Sequence, residues 1–524
     1  MGINELIVKG GALLNSGRNA EALKEFNTVI SMNPALDIAW TLKGAALVNL
    51  GRNKEALEAI NKALTLNPLE AVAWCIKGTA LLELNKDVEA LEAFDKSLAL
   101  NPALDASWSS KGVALVNLDM FQAALDAYDR ALALNPYLAR IWFRKAFALS
   151  RLGRFDESVD ACDQSIAIDS EDPFVWSDKG YALVQLRRFN EALIAFDRAI
   201  QIYPKGSRLW FNKGHVLAQL GRYEEALAVF NQVVILDPYF VLAWSNKGNA
   251  LSKLDRNTEA LKAYDHAISI NPKVSIVWNN KGQLLDHLGR HEEALAAYNK
   301  ALSIDSKYVM AWLNKGVALA NLGRHEEALS ACFMVLVINP DHVDAWYNKG
   351  TYLMKLERYR DAIAAFDQLL SINPAFINAW FSKGCIFATQ GKYVKAAKAF
   401  DEVLTLSPEY VDAWYYKGRV LTQLRRFQKA LDTYNKVLSL DPSYAQAWSD
   451  KGRIFDELED YDKAVSCYEQ VIRINPADTT VLPLIEKARS AKKQQTGHPP
   501  KTTKKKMTPQ RNMRLPVPET GRLY

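Results

Sequence analysis

Apolar and polar positions along this chain keep a single beat. All thirteen tryptophans stand in one phase, Trp40, Trp74, Trp108 and onward to Trp448, each 34 residues after the one before, and Leu6 holds the same place one period earlier. With that place counted as position 4, fourteen contiguous units cover residues 3–478 without insertion or deletion. Apolar residues at positions 3, 4, 10, 11 and 14 make a 3.6-residue stripe and predict a first helix in each unit. A short turn follows, often L-G-R-Y or L-G-R-H, whose glycine can take the left-handed conformation that ends a helix. The stretch E-E-A-L-x-A-Y/F predicts a second helix, closed by Asn-Pro or Asp-Pro. Position 8 is Gly in thirteen units, with Ala146 the exception, and position 20 is Ala in thirteen, with Ser158 the exception. Position 24 is mostly Phe or Tyr, and position 32 is Pro except at Ser170 and Ser306. One hairpin of this kind leaves its apolar stripe uncovered, so neighbours must stack, which predicts an all-α solenoid.

Trp at 4, Gly at 8, Ala at 20, an aromatic at 24 and Pro at 32, at period 34, resemble the tetratricopeptide repeat over about nine-tenths of the chain. The resemblance implies a right-handed superhelix of about fourteen antiparallel helix pairs, with the first helices lining a concave face. Position 7 departs from that family's usual Leu and is Lys in all fourteen units, from Lys9 to Lys451. The W-x-x-K-G form resembles members with long, regular arrays. These lysines have two readings. Either the stem packs between repeats while the ammonium reaches water or a carboxylate, for which Asp95, Asp129, Asp163 and Asp197 at position 25 are candidates, or they form a ladder of ligand contacts. Beyond the array, Val481, Leu482, Leu484 and Ile485 predict a capping partial helix over 479–493, with Pro483 tolerated in its first turn. Residues 494–524, rich in Lys, Thr, Gln and Pro, predict a basic disordered tail.

Charge changes the picture once it is divided along the chain. Residues 487–524 hold eleven Lys or Arg and one acid, Glu519, a balance of +10, so the other residues carry 6 − 10 = −4. An anionic partner is therefore an expectation for the tail, at Lys504–Lys506, and nucleic-acid binding is not expected of the acidic body. No apolar run reaches the length of a membrane span, and the N-terminus lacks the pattern of a secretory signal. Five scattered cysteines suit a reducing compartment, and the expected location is the cytoplasm. No phosphate-binding glycine loop or nucleophile elbow occurs, and H-E-E-A-L at His291 and His325 lacks the second histidine of a zinc motif. Residues outside the repeats are too few for a catalytic domain. The expectation is a protein with no catalytic residues, no metal and no cofactor, which binds one or more other proteins.

The resemblance also implies which positions face the groove: 2, 5, 6, 9, 12 and 13. Repeats 1 to 4 carry small apolar groups there, such as Val72, Val113 and Val116. Repeats 5 to 7 carry Arg140, Phe143, Arg144 and Phe147, then Phe174 and Tyr181, then Arg208 and Phe211. Residues 140, 143, 144 and 147 share one helical face, and arginines and aromatics are the usual binding anchors. Repeats 7 to 11 carry an unbroken series at position 6: Asn212, Asn246, Asn280, Asn314 and Asn348. An amide pairs with both N–H and C=O of a peptide backbone. Helices about 8–10 Å apart would present one amide to about every third residue of an extended strand. The series resembles the asparagine ladder of some long superhelical members. The clamp for a terminal carboxylate found in chaperone-binding members is absent where it was sought, since Ser245, Asn249, Asn280, Met310 and Asn314 supply none of its cations. The expected function is a scaffold that binds extended peptide segments in the groove. The alternatives are nucleic-acid or anionic-surface binding through the Arg–aromatic centre and the tail, or a structural spacer. Repeat 5 gives up the pattern at Ala146, Ser158, Cys162 and Ser170, and is the expected weak link of the array.

Overall fold

A computed structural model describes residues 2–477 and 479–495. These residues form helices joined by short turns, with no strand among them. The chain divides into two units between Ile270 and Asn271. The first contains sixteen helices, from Ile3–Asn15 to Asn257–Ile270, the helix pairs of repeats 1 to 8. The second contains the pairs of repeats 9 to 14, from Ser275–His287 to Tyr461–Ile474, then a 3-10 turn, Thr479–Val481, and a last helix, Leu482–Gln495. Within each unit, a helix packs on the helix before it and the helix after it, and first helices also touch the next first helix. That is an all-α helix-pair solenoid. The last helix covers the second helix of repeat 14 through Val481, Ile485 and Ala488, which bury against Tyr468 and Val471. Leu482, expected among the covering residues, is instead 45% exposed, because 481, 485 and 488 set the buried phase. Residues 494 and 495 complete this helix, and the rest of the expected tail lies outside the described residues. No described helix is long and apolar enough to cross a membrane.

Twelve of the fourteen hairpins are drawn together by the lack of a side chain at position 8. A Cβ on Gly350 would lie 2.5 Å from Phe366, and one on Gly112 would lie 2.3 Å from Tyr128, the ring at position 24. The ring fills the place the Cβ would take. Two repeats solve the contact differently. Ala146 has its Cβ, and the facing residue is the small Cys162. Opposite Cys332, a Cβ on Gly316 would meet only ordinary contacts, the nearest Ala331 Cβ at 3.5 Å. The turn that follows takes a left-handed residue in all fourteen repeats, glycine in seven and Asn85, Asp119, Arg187, Asp255, Glu357, Arg425 or Glu459 in the others. A residue with a Cβ there costs about 1 kcal/mol, and helix-capping bonds hold it, as where Arg188 N–H donates to the Leu183 carbonyl at 2.8 Å.

Successive repeats are stitched by tryptophan and lysine together. Every indole Nε1–H donates to the backbone carbonyl of position 32 in the preceding repeat, at 2.8–3.1 Å. Ser170 and Ser306 keep that bond, to Trp176 at 3.0 Å and Trp312 at 2.9 Å, because the acceptor is main chain. The tryptophans are half-buried rather than sealed in the core. Each presents its outer face to the position-7 lysine of its own helix, whose Nζ lies 4.4–5.9 Å from the ring centroid. The four aspartates proposed as lysine partners all serve. Lys111, Lys145, Lys179 and Lys213 reach Asp95, Asp129, Asp163 and Asp197 of the preceding repeat at 2.5–2.6 Å. Where position 25 is Asn, as before Lys77, Lys247 and Lys315, partial burial pushes the lysine pKa down. The lysine series is thus occupied by packing. All five cysteines are free and buried, and burial raises their pKa values, for Cys467 to about 11.

Repeat 5 meets each departure with a local answer. Ser158 Oγ donates to the Ala146 carbonyl at 2.8 Å and also lies 2.8 Å from Ser150 Oγ. The polar groups are satisfied, yet Cys162 supplies less apolar contact than a ring. Amides in 139–172 should exchange with solvent faster than their counterparts in 173–206. Equal protection in a native-state hydrogen-exchange experiment would remove the weak link. The glycine geometry predicts a sharper contrast. Gly350→Ala should destabilise by about 1–3 kcal/mol through overpacking against Phe366. Gly316→Ala should be neutral or stabilise by up to about 1 kcal/mol, since Ala is the better helix former. Denaturant melts of the two variants check the pair.

Candidate functional site

Arg140, Phe143, Arg144 and Phe147 come together as the notional spacing required. They lie on one face of the first helix of repeat 5, Ala139–Arg151, and with Val116 and Tyr128 of repeat 4 they line a pocket of about 260 Å³. Arg140 and Phe147 are exposed, and Phe143 and Arg144 are half-buried. Phe143 also rests on the core beneath, beside Trp142 and Leu138. Neither arginine makes an ion pair within the described residues. Tyr128 forms the inner wall. It is fully buried, its hydroxyl meets no well-aligned hydrogen-bond partner among the described residues, and burial raises its pKa to about 12 against the opposing charge and hydrogen-bonding pull of the nearby Arg144 guanidinium.

The other aromatic and arginine candidates behave differently from one another. Phe174 and Tyr181, on the helix Pro173–Gln185, are 59% and 51% exposed and stand outside the pocket lining. Arg208 is exposed at the start of Ser207–Gln219. Phe211, on the same helix, turns its ring inward onto Phe240 at 4.8 Å and Phe230 at 6.0 Å between centroids, so much of its surface is spent on packing.

The asparagine series splits between the units, with Asn212 and Asn246 in the first and Asn280, Asn314 and Asn348 in the second. All five are half-buried. Three already bond to other amides. Asn246 Oδ1 accepts from Asn249 at 3.3 Å, Asn314 donates to Asn279 at 2.9 Å, and Asn279 donates to Asn280 at 3.5 Å. Asn212 and Asn348 make no side-chain hydrogen bond within the described residues, so only these keep their full capacity.

Two groups escaped the sequence reading. Asp178, at position 6 of repeat 6, is largely buried, which raises its pKa to about 6, with Asp172 adding to the shift. Tyr415, Tyr444, Asp412, Asp450 and Arg453 form a closed polar cluster in repeats 13 and 14. Tyr415 donates to Asp450 at 3.2 Å, Arg453 donates to it at 3.4 Å, and Tyr444 donates to Asp412 at 3.0 Å. Its donors and acceptors answer one another. His291 pairs with Asp286 at 2.6 Å, and His325 lies against the Tyr352 ring. Among the described residues no three His, Cys, Asp or Glu side chains converge as a metal site would require.

Comparison with known proteins agrees with this architecture. Profiles described as tetratricopeptide repeat match residues 8–105, 110–173, 177–239 and 334–445, and others of the same description match 239–307, 297–330 and 445–478. Among solved structures, the chain is similar to one in the APC/C hetero-tetramer Cut9–Hcn1, at 16% identity over 93% of this chain and 96% of that one, with a TM-score of 0.35. It is similar to YrrB, described as a tetratricopeptide protein with an unusual peptide-binding site, at 26% identity over 35% of this chain and 95% of that one, with a TM-score of 0.30. A tetratricopeptide repeat protein from Parabacteroides merdae matches at 16% identity over 48% of this chain and 98% of that one, with a TM-score of 0.39. At these scores the structural likenesses carry nothing about function. No curated protein matches. The profiles cover well over half of the sequence, and their repeat is the helix pair seen in both units: the chain belongs to the tetratricopeptide repeat family.

Proposed function

We propose that this protein is a non-catalytic scaffold that binds other proteins by taking up extended peptide segments along its first helices. The observation that carries the reading is the pocket of repeats 4 and 5, where two arginines without ion-pair partners among the described residues and two accessible phenylalanines surround a cavity of about 260 Å³. A mainly apolar pocket of that size, edged by two guanidinium groups, suits one or two side chains of a partner, and desolvated aromatic and arginine contacts supply most of the energy at such surfaces. Phe174, Tyr181 and Arg208 extend the surface on one side, and Phe211 braces it from within. Asn212 and Asn348 are the amides with capacity left for a passing backbone, while Asn246, Asn280 and Asn314 would have to exchange bonds to serve. A pull-down with the intact chain, followed by identification of what is retained, tests the reading. Retention insensitive to changes at the pocket counts against it.

Truncating a buried aromatic anchor costs about 2 kcal/mol or more, whereas one neutral hydrogen bond is worth about 1 kcal/mol. Phe147→Ala, and more so Phe143→Ala with Phe147→Ala, should therefore weaken partner binding well beyond Asn280→Ala, with helicity retained by circular dichroism. A silent Phe pair beside a severe Asn280→Ala would move the anchor elsewhere. Nucleic acid is the competing ligand. Residues 1–495, which keep the last helix and omit most of the basic segment, should bind single-stranded RNA or DNA only weakly at physiological salt. Tight binding that falls steeply as salt rises would favour the competing reading.

A further inference from the structure

Tyrosine stands at position 24 in five repeats, and a hydroxyl buried there needs an answer from the first helix of its own repeat. In repeat 8, Tyr264 donates to Asn249 Oδ1 at 2.7 Å, and in repeat 14 Tyr468 donates to Asp456 Oδ2 at 2.8 Å. Position 12 of repeats 9 and 13, which carry Tyr298 and Tyr434, is Asp286 and Thr422. Where position 24 is Phe, position 12 is apolar, as with Phe94 and Leu82, Phe196 and Val184, or Phe366 and Met354. Tyr128 alone breaks this pairing, because positions 9 and 12 of its repeat are Val113 and Val116. Its hydroxyl is fully buried and, apart from the pull of the nearby Arg144 guanidinium, meets no partner among the described residues, at the wall of the pocket that Val116, Arg140, Phe143, Arg144 and Phe147 complete. A phenylalanine would fit that place in the hairpin, as it does in six other repeats.

The pocket lining is mainly apolar, and its polar groups are the guanidinium N–H donors of Arg140 and Arg144 and the phenol of Tyr128, whose oxygen lies under the pull of Arg144 and whose O–H proton is left to donate. A guanidinium has no acceptor, and among the described residues the two arginines meet no carboxylate. Such a set answers a ligand that only accepts and bears negative charge, and the valine and phenylalanine walls suit a short apolar stem behind it. Ala106 and Phe174 hold the same repeat position in the repeats on either side of Arg140, and Phe174 is exposed there. We propose that this pocket selects an acidic side chain, glutamate or aspartate, within the bound segment, with Tyr128 Oη–H as the donor that reads it and Arg140 and Arg144 as the cations that neutralise it. The inference rests on the peptide-binding reading and adds its specificity.

A display library of random twelve-residue peptides, panned on the full chain, tests it. Enriched peptides should share a Glu or Asp in fixed register. Synthesised as C-terminal amides, they should lose about tenfold or more in affinity when that acid becomes Gln or Asn. Tyr128→Phe should erase most of that difference, while its melting temperature stays level or rises, because an unanswered buried hydroxyl is removed. Val116→Thr should act in the same direction by giving the hydroxyl an internal partner, as Thr422 stands to Tyr434. Peptides that need Phe147 but are indifferent to acid would overturn this inference and leave the peptide-binding reading standing. So would an acid preference unchanged in Tyr128→Phe. A library with no binder sensitive to Phe147→Ala would overturn both.

Discussion

The contact between a bare Cα at position 8 and a ring at position 24 sets the distance between the two helices in eleven of the fourteen hairpins, and much else follows from it. With a Cβ in place the ring would have to give way, as the nearest approaches of 2.3–2.7 Å at Gly112, Gly180 and Gly350 show. Interiors are packed too densely to absorb such a change at no cost. A fixed hairpin in turn fixes where its tryptophan meets the loop of the preceding repeat, and hence where the next hairpin begins. The exceptions keep the rule in volume rather than in identity: Ala146 is matched by Cys162, and opposite Cys332 a Cβ on Gly316 would meet only ordinary contacts.

Most of this was legible because period, phase and small-residue positions are properties of single residues repeated fourteen times. Helix pairs, the stacking of neighbours, and the aspartate partners of Lys111, Lys145, Lys179 and Lys213 all follow from spacing. The half-buried state of the tryptophans was not legible. Hydropathy assigns an indole to the core, yet here its N–H must reach a backbone carbonyl and its open face is covered by a charged side chain. The left-handed turns were half legible. Glycine announces seven of them, whereas Glu357 or Arg187 takes the same conformation only because the bonds around it demand it.

The candidate site divides along the same line. The four residues of repeat 5 share a helical face by arithmetic, and they line one pocket. Phe211 shares its repeat position with Phe143, and the amides Asn246, Asn280 and Asn314 share theirs with Arg144, but what a side chain touches depends on its neighbours across the turn and in the next repeat. Those neighbours vary from unit to unit: Phe240 draws Phe211 inward, and Asn279 engages Asn314. The inner wall at Tyr128 was in view in the sequence, as a tyrosine paired with valine. It becomes a signal only when the other tyrosine repeats show which position answers the hydroxyl.

The five buried thiols lie in repeats 3, 5, 10, 12 and 14, at most one to a repeat. Each is held far from the thiolate state by its surroundings, so it meets an alkylating reagent only when its own hairpin loosens from its neighbours. In a solenoid whose stability is a sum of local terms, loosening at one place need not report loosening at another. The chain therefore carries five chemical clocks, sited where an aromatic or small residue would have packed as well. Their separate rates would trace how firmly each stretch of the stack is held, and how far a ligand seated at one repeat quiets the rest.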